Sequence, residues 1–199
     1  MSETRLSHRR QFNKLLKEAE PNSNLRNELL VVQASMGKPR YQAVTEFIKF
    51  LKASTERKVQ HFISDVFETA KDERVVRVLL KLAQTPDNKN YSCIFLWPLI
   101  KYDCTKHVSH FVNLIMEQDG YNEVMWVCIE VIRTMKGPFE PSVARRNIRK
   151  LLTESKLPLD ENQKTALAAL RLEAADSIMA KYFNHTRRTF WVKWNAGER

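Results

Sequence analysis

The sequence predicts an all-α chain of antiparallel helix pairs stacked into a right-handed solenoid. Three observations carry that expectation. Only four glycines occur in 199 residues. Apolar residues recur at spacings of three and four rather than two, the period of helices buried on one face. Helix pairs also overlay on one another along the chain. Cys93-Ile94 aligns with Cys128-Ile129, and Leu79-Leu80 with Leu114-Ile115, both at an offset of 35. Leu114-Ile115 then meets Leu151-Leu152 at 37, with the extra two residues in the 137–141 loop. A period in this range marks a helical repeat array. The alternative is a compact, non-repeating bundle, because amphipathic helices can overlay by chance.

The elements follow in order. Leu6, Phe12, Leu15 and Leu16 give a first helix, stopped by Pro21. A second spans about 23–35 through Leu25, Leu29, Leu30 and Val32, with Gly37 as its C-terminal cap. Pro39 opens a third, whose stripe is Val44, Phe47, Ile48 and Leu51. These helices, over 1–54, form an N-terminal cap. Three pairs then fill 55–154. The first is 56–70 (Val59, Phe62, Ile63, Val66, Phe67) with 72–84 (Val75, Val76, Leu79, Leu80, Leu82). Pro86-Asp87-Asn88 turns the chain into the second, 90–101 (Ile94, Leu96, Trp97, Ile100) with 105–118 (Val108, Phe111, Val112, Leu114, Ile115). Asp119-Gly120 leads to the third, 121–136 with 142–154. Residues 155–199 hold a long capping helix over about 160–183, with Asp160 as N-cap, and a basic-aromatic tail. Its stripe is Leu167, Leu170, Ala174 and Ile178. The whole chain is expected to be one domain.

Composition narrows the function classes. Hydrophobic residues make up 43% and charged residues 28%, which excludes a wholly disordered chain. The formal charge is +10, and it is unevenly placed. Residues 1–60 carry a net +6, residues 61–136 a net −1 and residues 137–199 a net +5. Cys93, Cys104 and Cys128 sit in or beside apolar segments, as expected of reduced, buried thiols. The first ten residues have no apolar signal core, and no run approaches the ~20 apolar residues of a spanning helix. A cytoplasmic protein is the expectation, and it gives the Asn184-His185-Thr186 sequon little meaning.

Catalysis finds no foothold in the sequence. Neither a Gly-x-Gly-x-x-Gly fingerprint nor a phosphate loop is present. His107 and His110 are three apart and can share a helix face, but no Glu-x-x-His partner completes a metal set beside them. They are expected to serve as a helix-start packing pair. No cofactor, metal or catalytic residue is expected.

Two surfaces remain as candidates. Trp97, Tyr102, Asp103, Tyr121, Glu123, Trp126, Glu130 and Arg133 set large aromatics among charges in the near-neutral middle of the chain. Aromatics and Arg concentrate binding energy at protein interfaces, so this group is the predicted protein-binding surface. Burial of individual aromatics competes with that role, and Glu130 and Arg133, at i and i+3, are placed to pair with each other. The second surface is basic. Arg145, Arg146, Arg149 and Lys150 share one helix, and Arg187 and Arg188 lie near Phe190, Trp191 and Trp194. Cations beside aromatic rings suit phosphates and bases, so nucleic acid is the alternative partner. The plainer account is a solvated helix face and a tail packed back as a cap.

One stretch carries a resemblance. It runs Phe95-Leu96-Trp97-Pro98-Leu99-Ile100-Lys101-Tyr102-Asp103-Cys104-Thr105-Lys106, then His110-Phe111-Val112-Asn113-Leu114-Ile115, then Asp119-Gly120-Tyr121-Asn122-Glu123-Val124. It resembles the short HEAT-like domains of bacterial immunity proteins, over about 60 to 100 residues. The tetratricopeptide consensus is absent. The resemblance implies a non-catalytic protein that binds one cognate toxin and blocks it by occlusion.

Overall fold

Caps and breakers set where the helices begin and end. The computed structural model describes residues 3–21, 23–118, 120–153 and 159–195, with side chains described within 7–183. Among these residues there are ten α-helices, three short 3₁₀ segments and no strand. The chain is thus all-α. It divides into two compact units, residues 1–101 and 102–199.

The first unit holds α1 (Glu3–Glu18), α2 (Asn24–Met36), α3 (Arg40–Ala53), α4 (Arg57–Glu68), α5 (Arg74–Ala83) and the short α6 (Ser92–Leu96). The Ser23 hydroxyl caps α2 by accepting from the Arg26 N–H. Gly37 ends that helix in ordinary right-handed backbone, so it does not use the freedom expected of it. The apolar face of α4 is the centre of this unit. Val59, Phe62, Ile63 and Phe67 are buried there, and α1, α2, α3 and α6 all pack on that helix. The Phe12 ring from α1 lies 5.5 Å from the Phe62 ring, tilted by 54°.

One predicted helix is broken. The 90–101 segment is a 3₁₀ turn (Pro86–Tyr91), one turn and a half of α-helix, then a second 3₁₀ turn (Trp97–Lys101). Pro98 is the cause, since it has no N–H for the carbonyl four residues back and its ring crowds that carbonyl. Phe95, Leu96, Pro98 and Leu99 are buried, whereas Ile94 and Ile100 of the predicted stripe are half-buried and Trp97 is exposed.

The second unit holds α7 (Val108–Met116), α8 (Glu123–Thr134), α9 (Pro141–Leu151) and α10 (Glu161–Asn195). A 3₁₀ turn, Thr105–His107, precedes α7, so the α-helix starts three residues later than expected. The Asn122 side-chain Oδ1 caps α8 by accepting from Met125 N–H at 3.0 Å. Glu140 caps α9 by accepting from Ser142 and Val143 N–H, and Pro141 is the first helical residue rather than part of the loop. Asp160 and Gln163 form a reciprocal box at the head of α10. The Gln163 N–H donates to the Asp160 carboxylate at 2.8 Å, and the Asp160 N–H donates to the Gln163 side chain at 3.2 Å.

The packing within this unit is regular. α7 lies against α8 and α9, and α10 lies against α8 and α9. The core is Phe111, Val112, Ile115, Met125, Cys128, Ile132, Ala144, Leu151 and the inner stripe of α10. α10 continues twelve residues beyond the predicted end at 183. The basic-aromatic tail is therefore helix to Asn195, and the packing expected of its Phe190, Trp191 and Trp194 side chains lies outside the described residues. No described helix is long and apolar enough to cross a membrane.

Candidate functional site

The predicted binding residues are split by the fold. Trp97 is exposed on the 3₁₀ turn of the first unit. The other seven belong to the second unit. Tyr102 is only 5% exposed and is a core residue. Its neighbour Asp103 is the hub of a turn. Asp103 accepts from the Thr105 N–H at 3.1 Å, the Thr105 hydroxyl at 2.5 Å and the Lys136 N–H at 3.3 Å. The Gly137 N–H donates to the Thr105 hydroxyl at 3.0 Å. Gly137 has φ +66, a left-handed conformation that glycine enters without steric cost. The Asp103-Cys104-Thr105 stretch thus ties the loop before α7 to the loop after α8.

Electrostatics at this turn fix a sign. Burial pushes the Asp103 carboxyl up, but the Thr105 hydroxyl and the Lys136 and Thr105 N–H groups outweigh it and hold the carboxyl below its ordinary value. A depressed folded value means the contribution is fully present above the unfolded pKa of about 3.9 and is lost as pH falls through the folded value. Asp103→Ala is expected to cost about 1–2 kcal/mol at neutral pH, the lower part of the range for charge-assisted bonds because the group is exposed. Asp103→Ala should also flatten the acid limb of the stability–pH curve. Urea unfolding followed by circular dichroism from pH 7 to pH 2 checks both; an unchanged acid limb would refute the role.

The remaining five residues converge. Glu123, Trp126, Glu130 and Arg133 lie at i, i+3, i+7 and i+10 on α8, one stripe of a helix whose other face is core. Trp126, Glu123 and Arg133 are exposed and Glu130 is half-buried. Tyr121 stands just before the helix at 67% exposure. Arg133 ties the stripe down, donating to Glu130 on its own helix and forming an ion pair with Glu173 of α10. Lys181 of α10 closes the end of α8 by donating to the Ile132 and Arg133 carbonyls at 2.7 and 2.6 Å. Burial holds the Lys181 ammonium below its ordinary pKa, with Asp103 pulling the other way.

The basic candidate is equally localised. Arg145, Arg146, Arg149 and Lys150 are all exposed on α9, within an arc of about 140° at 100° per residue. The buried side of the helix is Ala144, Asn147 and Leu151. α9 contains no acidic residue. Arg145 donates to its own Pro141 carbonyl and Lys150 to Asn113 at 2.7 Å. Arg146 and Arg149 have no ion pair among the described residues. Arg187 and Arg188 fall within α10, and their side chains lie outside the described residues.

The His107 and His110 rings lie 5.9 Å apart and tilted, at the start of α7. Among the described residues no group of three or more His, Cys, Asp or Glu is placed to hold a metal.

Sequence reasoning missed two stacked pairs in the first unit. The Arg74 guanidinium sits 3.9 Å from the Tyr41 ring centre and the Arg57 guanidinium 4.5 Å from that of Tyr91. Arg74 also donates to Asp72 and to the Thr45 hydroxyl, and holds the Asp72 carboxyl below its ordinary value. Each pair joins residues more than thirty apart, which no local spacing reveals. No protein-family model, curated protein or solved structure matches the chain, which leaves its own residues as the basis for a function.

Proposed function

We propose that the chain is a non-catalytic binding protein of the immunity type, which takes a cognate protein toxin on the outward face of α8. The observation that carries this is the stripe of Glu123, Trp126, Glu130 and Arg133 with Tyr121 at its head. Large aromatics held at the surface between paired charges have the composition of an interface centre. Arg133 is pinned by two carboxylates, so little side-chain freedom remains to be lost on binding. The action would be occlusion of the toxin's active site, with no covalent step.

HEAT-like pairing is part of the same proposal. Its support is the 35–37-residue offset together with packing between alternate helices, α3 on α5 and α4 on α6 in the first unit, α7 on α9 and α8 on α10 in the second. Contacts of α4 with α1 and α2 fit a less regular N-terminal cap.

The test is a titration of the purified chain against the toxin encoded beside its gene. Tyr121→Ala with Trp126→Ala should weaken binding by about 30-fold or more, the effect of losing ~2 kcal/mol at an interface centre. No binding by the wild type, or unchanged affinity in the double variant, would remove this function.

A second function is favoured by a separate observation, the acid-free cationic face of α9. Four phosphate contacts there would make affinity for nucleic acid fall steeply with salt, with a log–log slope of about −3 to −4. Arg146→Ala with Arg149→Ala should reduce that slope by about two. A toxin held at high salt supports the first function, and duplex or single-stranded nucleic acid lost at moderate salt supports the second.

A further inference from the structure

We propose that the outward face of α10 is the docking surface for a second copy of this chain, lying antiparallel to the first. The helix carries two apolar stripes on opposite sides. Leu167, Ala174, Ala175 and Ile178 form the buried one, against α8 and α9. The other consists of Ala168, Ala169, Leu172, Ala180 and Phe183, all exposed among the described residues, with Met179 half-buried at its edge. Leu172 is 47% and Phe183 60% exposed. An apolar stripe of this length, left in water on a helix that already buries its other side, is the pattern of a helix with a second partner.

The spacing identifies the kind of partner. Positions 165, 169, 172, 176, 179 and 183 alternate steps of four and three, which is the seam of a two-helix coiled coil. A straight helical partner with the same spacing fits that seam, and a second α10 supplies one. The seam spans about 28 Å, from the rise of 1.5 Å per residue. Asp176 and Thr165 are its only polar members.

Charge selects the second copy and its direction. From 160 to 176 the sequence carries Asp160, Glu161, Glu173 and Asp176 against Lys164, a net −3 apart from Arg171, which is buried on the other side of the helix. From 177 to 195 it carries Arg187, Arg188 and Lys193 and no acid, a net +3 apart from Lys181, which is already tied to the end of α8. Parallel pairing sets like charge beside like. Antiparallel pairing sets the acidic half of each helix beside the basic half of the other. With the two-fold axis near Ser177 and Ile178, Leu172 of one copy meets Phe183 of its partner, the two largest exposed apolar groups of the stripe. The surface is distinct from the α8 stripe and from the cations of α9, so the inference stands or falls without either proposed function.

Sedimentation of the full chain over a concentration series tests it. The wild type should approach twice its 23.4 kDa mass as concentration rises. Leu172→Glu with Phe183→Glu should weaken self-association by at least about 100-fold, because two charges would be buried unpaired in each copy, while the circular dichroism stays unchanged. A wild type that remains monomeric up to its solubility limit, or a dimer indifferent to the double variant, overturns the proposal. Direction has its own readout. Mixed Leu172→Cys and Phe183→Cys chains should oxidise to the heterotypic disulfide in preference to either homotypic one. Homotypic products alone would mean parallel pairing and would also overturn it.

Discussion

Replacing Phe62 by alanine is expected to destabilise the protein by about 3–5 kcal/mol, the cost of emptying a fully buried aromatic site. Phe62 is completely buried, and its ring packs against that of Phe12 across the α1–α4 contact. The loss cannot be confined to one neighbour, because α4 is the helix on which α1, α2, α3 and α6 pack. Total stabilities are commonly ~5–15 kcal/mol, so the variant should lose a large part of its margin. Phe62→Leu keeps most of the volume and should cost about 1–2 kcal/mol. Phe183→Ala removes an equally large side chain from an exposed position and, at concentrations where the chain is monomeric, should shift stability by no more than about 0.5 kcal/mol. Urea unfolding of the three variants, monitored by circular dichroism, orders them. A Phe62→Ala protein within 1 kcal/mol of wild type would mean that α4 is not the centre of the first unit.

The helices of that unit were legible because their apolar residues follow the helical period so closely. In α4, Val59, Phe62, Ile63 and Phe67 fall at i, i+3, i+4 and i+8, and all four are buried. Periodicity says nothing about the hydrogen-bond ladder, however. Ile94, Leu96, Trp97 and Ile100 fit one helix on spacing, yet Pro98 removes a donor in the middle, and the segment folds as 3₁₀ and α pieces that bury Phe95, Leu96, Pro98 and Leu99 and leave Ile94 and Ile100 half-buried and Trp97 exposed. The end of α10 was misplaced for the opposite reason. Between Phe183 and Asn195 there is no Pro and no Gly, so no breaker called for a stop, and the helix runs on.

The candidate site was legible in part. The α8 stripe follows from spacing alone, since 123, 126, 130 and 133 must share a face once 123–134 is helical. Tyr102 and Asp103 are different. Tyr102 ends a segment with no period of its own, so nothing local separates an exposed ring from a buried one. Asp103 looks like a surface acid in sequence, but its Lys136 N–H partner, like the Gly137 N–H that reaches Thr105, arrives from the far side of two helices. The stacked Arg57–Tyr91 and Arg74–Tyr41 pairs escaped for the same reason of distance along the chain. Arg171, by contrast, was there to be found. It sits four after Leu167 and three before Ala174, on the stripe predicted to be core, and only its charge hid it.

That position leads to an expected gain in stability. Arg171 is 3% exposed, and its Nε has no hydrogen-bond acceptor among the described residues. Burial alone holds its guanidinium below the ordinary pKa, with no carboxylate acting in the other direction. An Nε–H taken from water without an acceptor loses hydration that nothing among the described residues replaces. Its aliphatic stem, however, fills space in the α10 stripe and contributes like any apolar chain. Arg171→Met keeps most of that stem and removes the charge, and methionine adapts to irregular gaps. It should therefore stabilise the protein by about 1–3 kcal/mol. Arg171→Ala removes the charge and the stem together, so its gain should be cancelled or reversed by the cavity. Thermal unfolding of the two variants separates the contributions. If Arg171→Met were destabilising by more than about 1 kcal/mol, the guanidinium would have to be engaged by an acceptor or to fill space that methionine leaves empty.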